Sequence, residues 1–297
     1  MNTETTLHGS LRSHLKELHL PTIRECYQDT ARMAEAEHLN FEQYLLTVTE
    51  RECETRRTNR IARILRESGL PLEKTMVMFN RSRLPHALNA QVTTLLDGSF
   101  LDRKENILAF GKSGSGKTQL LLAIAHELVQ KERRVRYAPC SLLVQELLAA
   151  KRDLRLARVL KRLSRCEILY IDDIGYVQQN REEMGVLFTL LAERYERGSV
   201  MITSNLPFSR WEEIFKDPTT TAAAIDRLVH HSVIIELNLE SYRLEESRKQ
   251  RKAAQETNKS QARPRGTHQP SGASQHHLCP QTGRRRPKNT KAQNSKS

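Results

Sequence analysis

The stretch NILAFGKSGSGKTQLLLAIAHELVQ, residues 106–130, decides the fold. It reads as a short apolar run, then Gly111, Lys112, Ser113, Gly114, Ser115, Gly116, Lys117 and Thr118, then an amphipathic segment with apolar residues every three or four positions. G-x-x-x-x-G-K-[ST] between a strand and a helix is the pattern of a loop that wraps phosphates. Backbone N–H groups and the positive end of the following helix converge on the anion, and Gly114 and Gly116 keep side chains out of its way. Lys117 is expected to reach the β- and γ-phosphates, and the Thr118 hydroxyl to hold Mg²⁺. The expected ligand is ATP or a close relative.

Downstream, short apolar runs alternate with longer amphipathic segments: VRYAP (135–139), EILYID (167–172), SVMITS (199–204) and SVIIEL (232–237). Strands alternating with helices predict parallel βαβ units, hence a three-layer α/β domain. One of the helices is expected to run unbroken through SLLVQELLAAKRDLRLARVLKRL, with Leu154, Leu156, Val159, Leu160 and Leu163 as its apolar stripe. ILYIDD closes a buried strand with two carboxylates, at the end where such sheets present ligand groups. Asp172 is expected to face Mg²⁺ and Asp173 to polarise the attacking water as a general base, although paired acids there also suit a turn or helix cap. Asn205, after strand SVMITS, could orient that water, or be an ordinary turn residue before Pro207. Arg227, on the segment AAAIDRLVHH, could reach a neighbouring subunit's ATP as an arginine finger, or be held locally by a partner one helical turn away or by a salt bridge such as with Asp226. His230 and His231 are adjacent and diverge on a helix, which favours a structural role.

Upstream, residues 6–69 carry helical periodicity, punctuated by Pro21 and by Gly69-Leu70-Pro71. This predicts a small helical N-terminal domain (1–70) before the ATPase domain (71–250). Arg51, Arg56, Arg57, Arg60, Arg63 and Arg66 interleave with Glu50, Glu52, Glu54 and Glu67. That pattern suits either a solvated face laced with ion pairs or contact with phosphates. The formal charge of +13 lies mostly in residues 251–297, where eleven Lys/Arg oppose Glu256 alone. This tail is rich in Pro, Gly, Ser and Gln and is expected to be disordered, with any DNA affinity nonspecific. No apolar run approaches the roughly 20 residues that span a bilayer, and the first residues lack a secretory pattern, so a cytoplasmic location without a membrane is expected. Five scattered cysteines lack metal-site spacing and read as free thiols.

Taken together, GKSGSGKT, IDDIG, ITSN, the helical segment FEQYLLTVTERECETRRTNRIARIL and above all AAAIDRLVHHSVIIELNLESYRL resemble the IstB-like helper ATPases of bacterial insertion sequences. These are relatives of the DnaC-type helicase loaders within the AAA+ superfamily. The resemblance runs from about Leu11 to Leu244. It implies a P-loop AAA+ fold, with Lys117 and Thr118 on phosphate and Mg²⁺, Asp172 as second Mg²⁺ residue and Asp173 as the catalytic acid. It also implies Asn205 as sensor of the γ-phosphate, Arg227 as a finger acting in trans, and a weakly carried role for Arg243. Two departures are a Gly-Lys opening of the loop where the family often has Gly-Pro, and Asn238-Leu239-Glu240 where it usually has a glycine.

Proteins of this kind form ATP-bound homo-oligomers on double-stranded DNA and help a cognate transposase insert. The DNA-facing residues would be the N-terminal arginines together with Lys151, Arg152, Arg155, Arg158, Lys161 and Arg162. A DnaC-type helicase loader in replication shares nearly all of these motifs, and a non-hydrolysing, ATP-gated DNA scaffold is a third possibility.

Overall fold

The computed structural model describes residues 2–175, 181–215 and 218–239; Arg243 and the basic tail from 251 lie outside them. Three helices come first: α1 (Asn2–Glu17), α2 (Pro21–Ala36) and α3 (Phe41–Ser68). Pro21 opens α2, where a missing N–H costs nothing. Asn40 and Gln43 form a reciprocal capping box on α3, which ends at Gly69 with φ 72°. Leu15, Ile23, Tyr27 and Val48 form a small core between these helices. Inside that core Glu52 of α3 accepts the Thr22 and Ile23 N–H groups, at 2.8 and 3.1 Å, so one helix caps the start of another. The sequence showed Glu52 only as one of the acids interleaved with the α3 arginines, and it also pairs with Arg56 at 2.8 Å.

Helix α4 (His86–Asp97) leads into β1 (Asn106–Phe110), α5 (Lys117–Gln130), β2 (Val135–Pro139), α6 (Cys140–Arg152), α7 (Leu156–Leu163) and β3 (Ile168–Asp172). Then follow α8 (Arg181–Arg194), β4 (Ser199–Ser204), α9 (Glu212–Phe215), α10 (Pro218–Val229) and β5 (Ser232–Glu236). The strands form one parallel sheet in the order β2-β3-β4-β1-β5. All five lie within a residue of the apolar runs that predicted them.

Side chains alternate across the sheet, as the pleat requires. Ile107, Ala109, Ile168, Tyr170, Met201 and Ile235 pack with α4, α5 and Ile64 near the end of α3. Leu108, Phe110, Leu169, Ile171, Val200 and Ile202 face the other way, onto α6, α8, α10 and Trp211. Helices on both faces make the expected three layers, and no described helix is long and apolar enough to cross a membrane.

Two buried polar side chains lock the layers together. Arg194 donates to the carbonyls of Leu163, Cys166, Glu167 and Ser199 at 2.9–3.3 Å, joining the end of α8 to the starts of β3 and β4. Burial pushes its guanidinium below the usual range. The Asn106 amide donates to Leu228 O at 3.1 Å and accepts from Val200 N–H at 2.9 Å, tying the end of α10 and the start of β4 to the start of β1.

The helix expected through residues 141–163 is broken. Asp153, Leu154 and Arg155 separate α6 from α7, Leu154 has φ 56°, and its side chain is 94% exposed instead of packing in the stripe. The Arg155 N–H reaches back to Ala150 O at 2.7 Å, closing a helix-terminating turn that usually takes glycine. Leu156, Val159 and Leu160 do pack on the core, and Leu163 is buried in it.

Candidate functional site

The loop 111–116 leaves the C-terminal tip of β1 and enters α5. Gly111 (φ 148°), Gly114 (φ 82°) and Gly116 (φ 96°) all take backbone conformations that suit glycine. At Gly111 space is limiting too: an added Cβ would stand 2.3 Å from Leu237 O, because the chain leaving β5 closes against β1 through Leu237 N–H to Phe110 O at 2.8 Å. The Lys117 ammonium, nearly buried, donates to Gly111 O at 2.8 Å and Lys112 O at 3.0 Å, which holds it over the loop.

Parallel pairing of β3 and β4 with their neighbours brings the next residues to the same edge of the sheet. Thr118 donates to Asp172 Oδ1 at 2.9 Å. Thr203 donates to the same oxygen at 2.5 Å while accepting the Asp173 N–H at 2.8 Å. Tyr170 donates to Oδ1 at 3.1 Å, and Tyr137 to Oδ2 at 3.3 Å. Four neutral hydroxyls thus converge on one carboxylate. Burial first, and then the charge of Asp172, pushes the Tyr137 phenol up to about 12, so it stays a donor. Tyr170, wholly buried, is raised for the same reasons.

Hard oxygen donors from Thr118 and Asp172, side by side at the mouth of a phosphate-type loop, fit a hard divalent cation that takes its remaining ligands from phosphates and water. Asp173 follows directly, half-buried with φ 64°. Asn205 follows β4, and its Oδ1 lies 2.4 Å from where a Cβ on Gly175 would be, so only glycine at 175 admits it.

The residues read as phosphate, cation and water ligands therefore cluster around the tips of β1, β3 and β4. Arg227 does not join them within one chain. It sits beside Leu228, which is bonded to the start of β1, whereas the loop leaves the other end of that strand. Its guanidinium lies 5.1 Å from the Phe188 ring centroid and donates to Ala223 O at 3.1 Å, the local partner one helical turn away that the sequence also allowed. His230 lies beside His231 and within 3.4 Å of the Tyr195 hydroxyl, away from the loop.

Sequence reasoning missed Thr203, Tyr137 and Tyr170, which touch Asp172 only through strand pairing. It also missed Phe79, Asn80, Arg83 and Gln119, which line a small cleft with Ser115, Gly116 and Leu239 beside the loop. Of the α3 arginines, Arg56 bonds Glu52, Arg57 and Arg60 bond Glu132, and Arg51 donates to Thr30. Arg63 and Arg66 are exposed with no ion pair to a described residue.

The family described as IstB-like ATP binding protein matches residues 13–250. An insertion sequence ATP-binding protein of Sinorhizobium fredii is 39% identical over 251 residues, covering 84% of this chain and 82% of its own. The insertion sequence IS21 ATP-binding protein of Pseudomonas aeruginosa is 36% identical, over 80% of this chain and 89% of its own. Among solved structures, the DnaC helicase loader is similar with a TM-score of 0.50 at 13% identity, covering 56% of this chain and 98% of the other, a likeness of fold alone.

Proposed function

From the premise that this chain belongs to the IstB-like ATP-binding proteins, we propose that it is an ATP-hydrolysing helper of transposition. It would assemble on duplex DNA as a homo-oligomer and assist the transposase of its insertion sequence. The observation that carries the hydrolytic part is the contact of Thr118 with Asp172, 2.9 Å apart, with Asp173 next in the chain and Asn205 set against Gly175 two residues further on.

In this reading the loop amides and Lys117 bind the phosphates, and Thr118 and Asp172 hold Mg²⁺. Bound there, Mg²⁺ would neutralise charge on the transferred phosphoryl group. Asp173 draws the proton from the attacking water and Asn205 orients it. Arg227 completes the site of the next subunit, which accounts for its place at the far end of β1. Support for a duplex DNA partner comes from Arg63, Arg66 and the basic residues of 151–165. Support for the transposition role comes from relatives over 30% identical that are named for insertion sequences.

The decisive experiment is phosphate release from ATP, with and without duplex DNA and then with the cognate transposase, against Lys117→Ala. Wild type should hydrolyse, faster with DNA, and the variant should not. Equal rates for the two proteins in every condition would leave a non-hydrolysing scaffold.

A further inference from the structure

We propose that Leu154 is a wedge that enters between base pairs of duplex DNA, whose backbone is held by the cations flanking it. This rests on the DNA-binding reading above and specifies how the DNA is gripped.

Leu154 is out of place twice over. It holds φ 56° at a helix end that favours glycine, and its side chain is 94% exposed. A single exposed leucine is ordinary, but one fixed in a left-handed turn is presented rigidly: its own N–H bonds Lys151 O at 3.1 Å and the next N–H bonds Ala150 O at 2.7 Å. The surroundings select the partner. Lys151 and Arg152 precede it and Arg158, Lys161 and Arg165 follow, all exposed and without an ion pair to a described residue. The acid next to it, Asp153, is neutralised by Arg155.

Asp153 and Arg155, the neighbours of Leu154, line a groove of about 620 Å³ that continues past Arg158, Lys161, Arg162 and Arg165. Arg162 is paired with Glu146 on the wall of this groove, while Arg158, Lys161 and Arg165 have no ion pair to a described residue. An apolar protein surface would gain nothing from these three cations, whereas a polyanion would. Only an apolar tip set among phosphate-binding side chains fits a duplex that is gripped by its backbone and opened at one base step.

The test uses the full chain with a non-hydrolysable ATP analogue and a duplex carrying several 2-aminopurines, whose fluorescence rises when bases unstack. Wild type should raise it. Leu154→Gly should fold with an undiminished melting temperature, because glycine relieves the turn. It should bind duplex with the same salt dependence, which phosphate contacts set, yet lose the unstacking signal. Leu154→Phe should keep that signal.

An unstacking signal in Leu154→Gly equal to wild type would overturn the proposal, as would tight wild-type binding with no signal. So would a glycine variant that handles DNA normally and fails only to capture the transposase. Wild type that binds no duplex at all would overturn the DNA-binding reading, and this inference with it.

Discussion

A carboxylate buried at a strand tip must have its charge met by donors, and at Asp172 they are hydroxyls from α5, β2, β3 and β4. Thr203 has a double part, because it fixes Asp172 through its proton and Asp173 through its lone pair. Thr203→Val keeps the shape and removes both bonds. Nucleotide affinity should stay within about twofold while hydrolysis falls roughly 10- to 100-fold, the order expected for a misplaced reacting group. Thr203→Ser should recover most of it. Fluorescent-nucleotide titration and steady-state phosphate release separate the two effects; unchanged turnover in the valine variant would show that Thr203 positions nothing. At the same scale, Asp173→Asn should bind ATP and stall, and a variant that no longer binds nucleotide would remove Asp173 from its proposed role. The positions of Lys117 and Thr118 at the tip of β1 and of Asp172 and Asp173 at the tip of β3 were legible, because the loop motif marks the first pair and the end of an apolar run marks the second. Tyr137 and Tyr170 were not, because a hydroxyl's partner depends on which strand lies next door.

At the scale of elements, the strands were legible and the helix ends less so. NILAF, ILYID and SVMITS are buried at every residue, and a run buried on both faces is written as continuous apolar sequence. The break after Arg152 carries no glycine or proline, so periodicity ran straight through it. The cap on α2 comes from a helix about 30 residues away, beyond any local signal. Burial raises the Glu52 carboxyl, but the Arg56 bond and the Ile23 and Thr22 N–H groups outweigh it and hold the group below its ordinary 4.5. A depressed carboxyl stabilises the fold above its unfolded value and loses that contribution as pH falls through the folded one. Glu52→Gln should therefore destabilise the helical N-terminal region by about 1–3 kcal/mol near neutral pH, and its melting should vary less with acid than that of wild type. Melting curves at pH values spanning 4.5 and below check the sign. Arg194→Lys tests the other buried polar joint. One ammonium cannot reach four carbonyls set around a planar fork, and the loss should be about 3 kcal/mol by urea unfolding.

At the scale of the whole molecule, the sites lie at opposite ends of the strands. The phosphate loop and acids occupy the C-terminal tips, and Arg227 lies by the opposite end. Lys117→Ala and Arg227→Ala should each lower hydrolysis by on the order of 10³ or more, and mixing them should restore part of it at hybrid interfaces. Measured across mixing ratios, a flat zero would exclude a finger in trans. Removing residues 251–297 should weaken binding to all duplexes alike and shallow its salt dependence, with hydrolysis kept.

The Asn106 joint would give the proposed head-to-tail assembly a fixed dimension. Its amide fastens Leu228, the neighbour of Arg227, to the start of the strand whose other end is the phosphate loop. In the proposed assembly, the nucleotide a subunit holds and the arginine it lends would be separated by one strand of five residues. Subunits joined head to tail in this way would repeat at a pitch set by the sheet itself. The ATP sites would then be evenly ruled marks along bound DNA, and a subunit with a slackened Asn106 would lose the gauge before it lost its grip on ATP.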